Sequence, residues 1–171
     1  MAYFSAKKTG WVLALLSFAA AAYGQVQSNA YRLMLKKLLS HTVPEMQVQQ
    51  LVADTSGALL LDARESKEFA VSHLKGALHV GYDHFNLTAI PSSVAKDRPI
   101  VVYCSVGYRS EKVAEQLRAA GFTRVSNLYG GIFEWVNQGN PVVDDRGDTR
   151  RVHAFDRVWG IWLKKGKKVY D

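Results

Sequence analysis

The 171-residue chain has one cysteine, no internal repeat and no low-complexity segment, and no uncharged apolar run reaches the roughly 20 residues that a membrane span needs. A single thiol excludes an internal disulfide. In an exported protein such a thiol is either joined to another chain or reactive, and the plain alternative is a buried structural cysteine. The five histidines show no metal-ligand spacing with Cys104, so neither a metal nor another cofactor is expected.

The first residues do hold a short apolar run. Lys7 and Lys8 precede the segment 11–22, and Ala20, Ala21, Ala22 and Gly24 then lead into polar Gln25. This is the layout of a secretory signal peptide, and it predicts export to the periplasm or beyond after removal of residues 1–24. No cysteine stands near the small-residue site, which excludes a lipid-modified bacterial N-terminus. The remaining length fits one domain with extensions.

Charge is uneven along the chain. The formal net charge is +7, and without residues 1–24 there remain 20 basic and 15 acidic side chains. Residues 25–145 balance at 12 of each sign, whereas residues 146–171 hold 8 basic and 3 acidic. The excess therefore lies in the tail, where Lys164, Lys165, Lys167 and Lys168 suit a membrane surface or an acidic partner, or are simply solvated. Nucleic acid is not an expected partner of an exported protein.

Hydrophobic patterning predicts alternating elements. Residues 29–40 place Leu33, Leu35, Leu38 and Leu39 near helical spacing, so residues 25–43 are read as an N-terminal helical extension. Pro44 suits the first position of a second helix over residues 45–52. The run "ALLLDAR" at 58–64 reads as a buried parallel strand, followed by a short helix with Ser66 as its cap and a short strand around residues 77–80. "RPIVVYC" is the most β-branched run, and the helix after it, residues 109–120, stops at Gly121. A further strand, "RVSNL", and a short helix, "GGIFEWVNQG", close the repetition. Strands and helices alternating at this pitch predict an α/β fold with a mainly parallel sheet flanked by helices.

In such sheets ligands collect beyond the carboxyl ends of strands, and Cys104 stands at that position. The N–H groups of a tight loop and the positive end of the following helix make an anion-binding concavity and favour thiolate over thiol. Gly107 permits backbone conformations closed to other residues. A strand-end cysteine, a glycine and an arginine entering a helix point to a nucleophile.

Four separated motifs resemble those of the rhodanese family of sulfurtransferases. "LLDARESKEF" at 60–69 resembles its strand-end Asp-x-Arg followed by Glu-Phe, and "HLKGALHV" at 73–80 its His-hydrophobic-x-Gly-Ala segment. "CSVGYRS" at 104–110 is similar to the Cys-x-x-Gly-x-Arg-Ser active loop, and "YGGIFEW" at 129–135 to the Gly-Gly-x-x-x-Trp helix start. The resemblance spans residues 44–143 and leaves residues 144–171 as a basic C-terminal extension. Ser72, Gly81 and Tyr82 depart from the family pattern in the loop opposite the active site, where the acceptor is chosen.

The resemblance implies that Cys104 attacks the outer sulfur of an anionic donor such as thiosulfate, becomes a persulfide and passes the sulfur to a thiol or cyanide. Backbone N–H groups from Ser105 through Val106, Gly107 and Tyr108 to Arg109 would cradle the sulfur, and the Arg109 side chain would bind the donor or brace the loop. Asp62 and Arg64 would form an ion pair at the rim, with Arg64 within reach of substrate, and Ser110 would support the loop. His73, Gly130, Gly131 and Trp135 are read as structural. Two rivals remain: a non-catalytic rhodanese-like binding module, and a Cys-x5-Arg phosphatase. The loop here has four residues between Cys104 and Arg109, a tighter cradle that suits a sulfur atom better than a tetrahedral phosphate.

Overall fold

A computed structural model describes residue 26, residues 28–54 and residues 56–171, so the expected signal peptide at residues 1–24 lies outside the described residues. The first helix, α1 (Asn29–Leu38), is capped by Ser28, whose Oγ accepts from the Tyr31 N–H, and it buries Tyr31 and Leu35. The Tyr31 hydroxyl reaches across to the Gly130 carbonyl at 2.8 Å. The apolar stripe thus lies on the domain as part of its core.

After Pro44 the structure departs from the expected helix. Glu45–Met46 is a strand, β1, and helix α2 (Val48–Ala53) begins only beyond it. The reason is an open sheet edge. The Asn127 N–H donates to the Pro44 carbonyl at 2.8 Å and the Tyr129 N–H to the Met46 carbonyl at 2.9 Å. These bonds satisfy backbone groups that a helix would have left on the edge exposed. Gln50 then returns its side-chain oxygen to the Gln47 N–H at 2.7 Å, which starts the helix late.

The remaining strands are β2 (Leu59–Asp62), β3 (Leu78–His79), β4 (Ile100–Tyr103) and β5 (Val125–Leu128). They form a five-stranded sheet in the order β1-β5-β4-β2-β3, with every pairing parallel. Every residue of β4 is buried, and its side chains alternate between two cores. Val101 and Tyr103 pack with α1 and the helix α5 (Gly131–Asn137), while Ile100 and Val102 pack with α4 (Tyr108–Ala119). The β-branched run therefore reads as the central strand of a sheet covered on both faces.

Helix α3 (Ser66–Val71) is capped by Glu65, one residue before the expected Ser66; the Glu65 N–H donates to Glu68 Oε2 at 3.0 Å. The C-terminal extension also packs closely. Beyond the hairpin of β6 (Val142–Asp144) and β7 (Gly147–Thr149), strands β8 (Arg151–His153) and β9 (Lys167–Val169) pair in parallel. Val152, Ala154 and Leu163 are buried in the core that holds Tyr31. Trp162 stacks on Tyr31 with ring centroids 5.2 Å apart. Among the described residues no helix is long and apolar enough to cross a membrane.

Candidate active site

Cys104 follows the last residue of β4, with 1% of its surface exposed. Three sets of contacts shape its loop. The N–H groups of Ile132 and Phe133 donate to the carbonyls of Cys104 and Ser105 at 2.9 and 3.1 Å. Because these peptides are trans, the N–H groups of Ser105 and Val106 point the opposite way, away from α5. Gly107, at φ 123°, then turns its own N–H onto Cys104 Sγ at 3.1 Å. A thiolate or persulfide anion accepts such a bond more strongly than a thiol does.

Behind the loop, Asn127 donates from Nδ2 to the Gly107 carbonyl at 2.9 Å and accepts the Ser110 hydroxyl at 2.7 Å. Ser110 thus supports the loop from inside the fold. The motifs do not single out Asn127, although an amide in the otherwise apolar end of "RVSNL" signals that something polar faces it. Gly131 was read only as part of a turn. A Cβ there would come within 2.7 Å of the Ser105 carbonyl and closer still to the Cys104 oxygen, and its φ is 56°. The glycine lets α5 approach the active loop.

The loop's arginine is held by a residue from another helix. Arg109 donates from Nη1 to Glu68 Oε2 at 2.6 Å and from Nη2 to Glu68 Oε1 at 2.8 Å, and Nη2 also lies 3.0 Å from Ser105 Oγ. The Ser105 hydroxyl donates to Glu68 Oε1 at 3.0 Å, closing the network. Burial works against both charges. For Glu68 it is outweighed by the hydrogen bonds and charge of Arg109, which hold the carboxyl below its ordinary range. For Arg109 it is outweighed by Glu68 and the charge of Cys104, which keep the guanidinium firmly protonated. Of the two roles expected for Arg109, this geometry assigns the brace. Glu68 stood in the "KEF" motif, but its partner lies 41 residues away.

Asp62 and Arg64 do pair, though not at a rim. Arg64 Nη2 lies 2.6 Å from Asp62 Oδ2, both side chains are 0% exposed, and the same Nη2 donates to the Ser72 carbonyl at 2.6 Å. The expected contact of Arg64 with substrate is therefore corrected: the side chain is fully buried, and the guanidinium ties the end of β2 to the end of α3. Its charge survives burial because the Asp62 carboxylate outweighs the desolvation. His73 accepts the structural role expected of it, stacking on Phe69 at 3.8 Å.

Ser105, Val106, Tyr108 and Arg109 line a cavity of about 380 Å³ with Cys104 at its wall. Other lining residues come from outside the expected domain: Leu38 of α1, and Phe155 and Trp159 of the C-terminal extension. Tyr82, in the loop that departs from the family pattern, adds another ring, and Glu65 and Asp83 bring carboxylates.

A parallel sheet with a cysteine just past its central strand, its sulfur accepting the N–H of Gly107 at the start of the next helix, places the chain among α/β domains with a strand-end cysteine loop. The family model for the Rhodanese-like domain matches residues 46–138, and the chain belongs to that family. A sulfurtransferase of Allochromatium vinosum is 36% identical over 100 residues, 58% of this chain and 92% of that protein. The tRNA uridine(34) hydroxylase of Escherichia coli is 36% identical over 98 residues, which are 52% of this chain but only 28% of the hydroxylase. Among solved structures, the BH2092 protein of Bacillus halodurans aligns with TM-score 0.55 at 26% identity, covering 69% of this chain and 86% of that one.

Proposed function

We propose that this protein moves sulfane sulfur from a small anionic donor such as thiosulfate to a thiophilic acceptor through a persulfide on Cys104. The observation that supports this most directly is the Gly107 N–H on Cys104 Sγ at the base of an open cavity. In the first step the Cys104 thiolate attacks the outer sulfur of thiosulfate, a new S–S bond forms as the donor's S–S bond breaks, and sulfite leaves with the electron pair. The negative charge stays on the transferred sulfur, beside the loop amides and the N-terminal end of α4. In the second step an acceptor such as cyanide or a thiolate attacks that outer sulfur, and Cys104 leaves as thiolate.

The same geometry argues against phosphate ester hydrolysis. Both Glu68 oxygens occupy the Arg109 guanidinium, so it has no free fork for a tetrahedral phosphate, and the loop is one residue shorter than that chemistry uses. A purely binding role would leave the aligned cysteine, amides and cavity without use.

Intact-mass spectrometry after incubation with thiosulfate tests the reading. One added sulfur on wild-type protein, removed by cyanide as thiocyanate, is expected. A protein that hydrolyses aryl phosphates and takes up no sulfur would overturn it. The proposal includes export: N-terminal sequencing of protein from its own host should begin near Ala21 to Gln27, and an intact Met1 on cytosolic protein would contradict it.

A further inference from the structure

Part of the cavity that Cys104 lines is built from outside the family match. Leu38, Phe155 and Trp159 all lie outside residues 46–138, so the chain's two flanks build this part of the cavity. Phe155 is held there against ordinary conformational preference. Its φ is 66°, in the left-handed region that a bulky residue avoids, and the residue nevertheless remains 43% exposed. Burial therefore does not account for the strained backbone.

What holds Phe155 is a chain of polar contacts. Its N–H donates to His153 Nδ1 at 3.1 Å, so that Nε2 carries the imidazole proton and faces Asp171 Oδ1 at 3.0 Å. Lys67 of α3 pairs with the same carboxylate. The ring sits over the Arg109 guanidinium at 5.1 Å. The strap thus fixes an exposed aromatic face directly beside the reactive loop.

Size and charge narrow what this face receives. Cavities of about 300 to 1,000 Å³ hold organic ligands many atoms in size, and cyanide or thiosulfate fills little of this 380 Å³ space. Among the described residues of the lining Arg109 is the only cationic side chain, and Glu68 already neutralises it. Glu65 and Asp83 add negative charge. Away from the loop amides an anionic group finds no unpaired cation in this lining, whereas an uncharged one gains apolar contact at no electrostatic cost.

Resting on the sulfur-transfer reading, we propose that the acceptor is an uncharged thiol bearing an aromatic or comparably bulky apolar group, seated between Phe155, Trp159 and Leu38. The acceptor's proton passes through water to the outer sulfur of the Cys104 persulfide anion as the acceptor thiolate attacks that sulfur. An RS–S bond forms as the bond to Sγ breaks, Cys104 departs as thiolate, and the product is the organic hydropersulfide RS–SH.

Acceptor kinetics on the thiosulfate-loaded enzyme test this, with benzyl mercaptan, 2-mercaptoethanol and mercaptosuccinate as probes and rates corrected for thiolate fraction. Benzyl mercaptan should exceed 2-mercaptoethanol in kcat/KM by about tenfold, the scale set by burying one apolar ring, and mercaptosuccinate should be the poorest. Phe155→Ala and Trp159→Ala should each cut the benzyl-to-hydroxyethyl ratio severalfold. The milder Phe155→Leu and Trp159→Leu should lower it less. A wild-type ratio near one, or a ratio unmoved by all four substitutions, overturns the proposal while persulfide formation still stands. Absence of the persulfide itself overturns the sulfur-transfer reading, and this acceptor assignment with it.

Discussion

Arg109, which closes the active loop, spends its guanidinium on Glu68, a buried carboxylate from the first turn of α3, through two hydrogen bonds of 2.6 and 2.8 Å. The pair links the loop after β4 to the helix after β2. The cradle's shape therefore depends on an ion pair between two βα units, and its electrostatics on the cancellation within that pair. Removing one partner leaves the other charged and buried, so Glu68→Ala should destabilise the fold by about 3 kcal/mol. Urea unfolding measures this, and sulfur transfer should fall with it; a loss within a few tenths of a kcal/mol would show that the pair is not coupled to the loop.

The same pair has an acid signature. The Glu68 carboxyl lies below its ordinary value of 4.5 in the folded protein, so its contribution is complete above that value and is lost as pH falls through the lower folded one. Stability should decline in that acid window, and the decline should be shallower in Glu68→Gln. Parallel acid titrations of the two proteins by circular dichroism check the difference in slope.

Cys104→Ser should abolish persulfide formation while changing stability by only about 1 kcal/mol, because strand, loop and carbonyl contacts remain. Inserting one residue between Cys104 and Arg109 should widen the cradle and lower sulfur transfer. Thiocyanate release and intact mass measure both. Sulfur uptake by the serine variant would place the chemistry elsewhere.

Gly131→Ala tests the approach of α5. Its methyl would overlap the Cys104 and Ser105 carbonyls at a backbone angle that only glycine adopts easily. We expect a loss of about 2 kcal/mol or more in stability, and slower persulfide formation even where the variant folds. Gly76→Ala, which meets nothing within 4 Å and has a similar positive φ, is the control for backbone strain alone.

Asp83 is exposed beside the cavity, and its charge opposes a dianionic donor. Asp83→Asn should raise kcat/KM for thiosulfate about two- to fivefold at low ionic strength, the scale of one charge acting across water at several ångströms. The advantage should vanish near 1 M salt, where the Debye length shrinks to about 3 Å. An advantage independent of salt would point to a change of loop shape instead.

For the basic tail we propose electrostatic docking to an anionic surface, since residues 146–171 hold the excess positive charge. Truncation is unsuitable because Val152, Ala154 and Leu163 belong to the core. Replacing the exposed Lys164, Lys165, Lys167 and Lys168 with glutamine leaves the core intact. Binding to phosphatidylserine vesicles should fall with salt for the wild type and be lost in the variant; equal binding by both removes the idea.

By itself the sequence determined the alternation of strands and helices, the strand at "RPIVVYC" and the strand-end position of Cys104. Each of these depends on local properties: β-branching, helix periodicity, and a glycine, Gly107, that frees the backbone at the cap of the following helix. Tertiary structure decided what depends on distant partners. Residues 45–46 became a strand because β5 offered an unpaired edge, not because their own propensities changed. Arg64 went inside, where Asp62 and the Ser72 carbonyl take its guanidinium, while Arg109, of the same residue type, met Glu68 and stayed at the cavity. The wall of Leu38, Phe155 and Trp159 joins two flanks separated by the whole domain. No local pattern encodes that meeting, because it follows from the order of strands in the sheet and from the core that draws α1 and the C-terminal extension together.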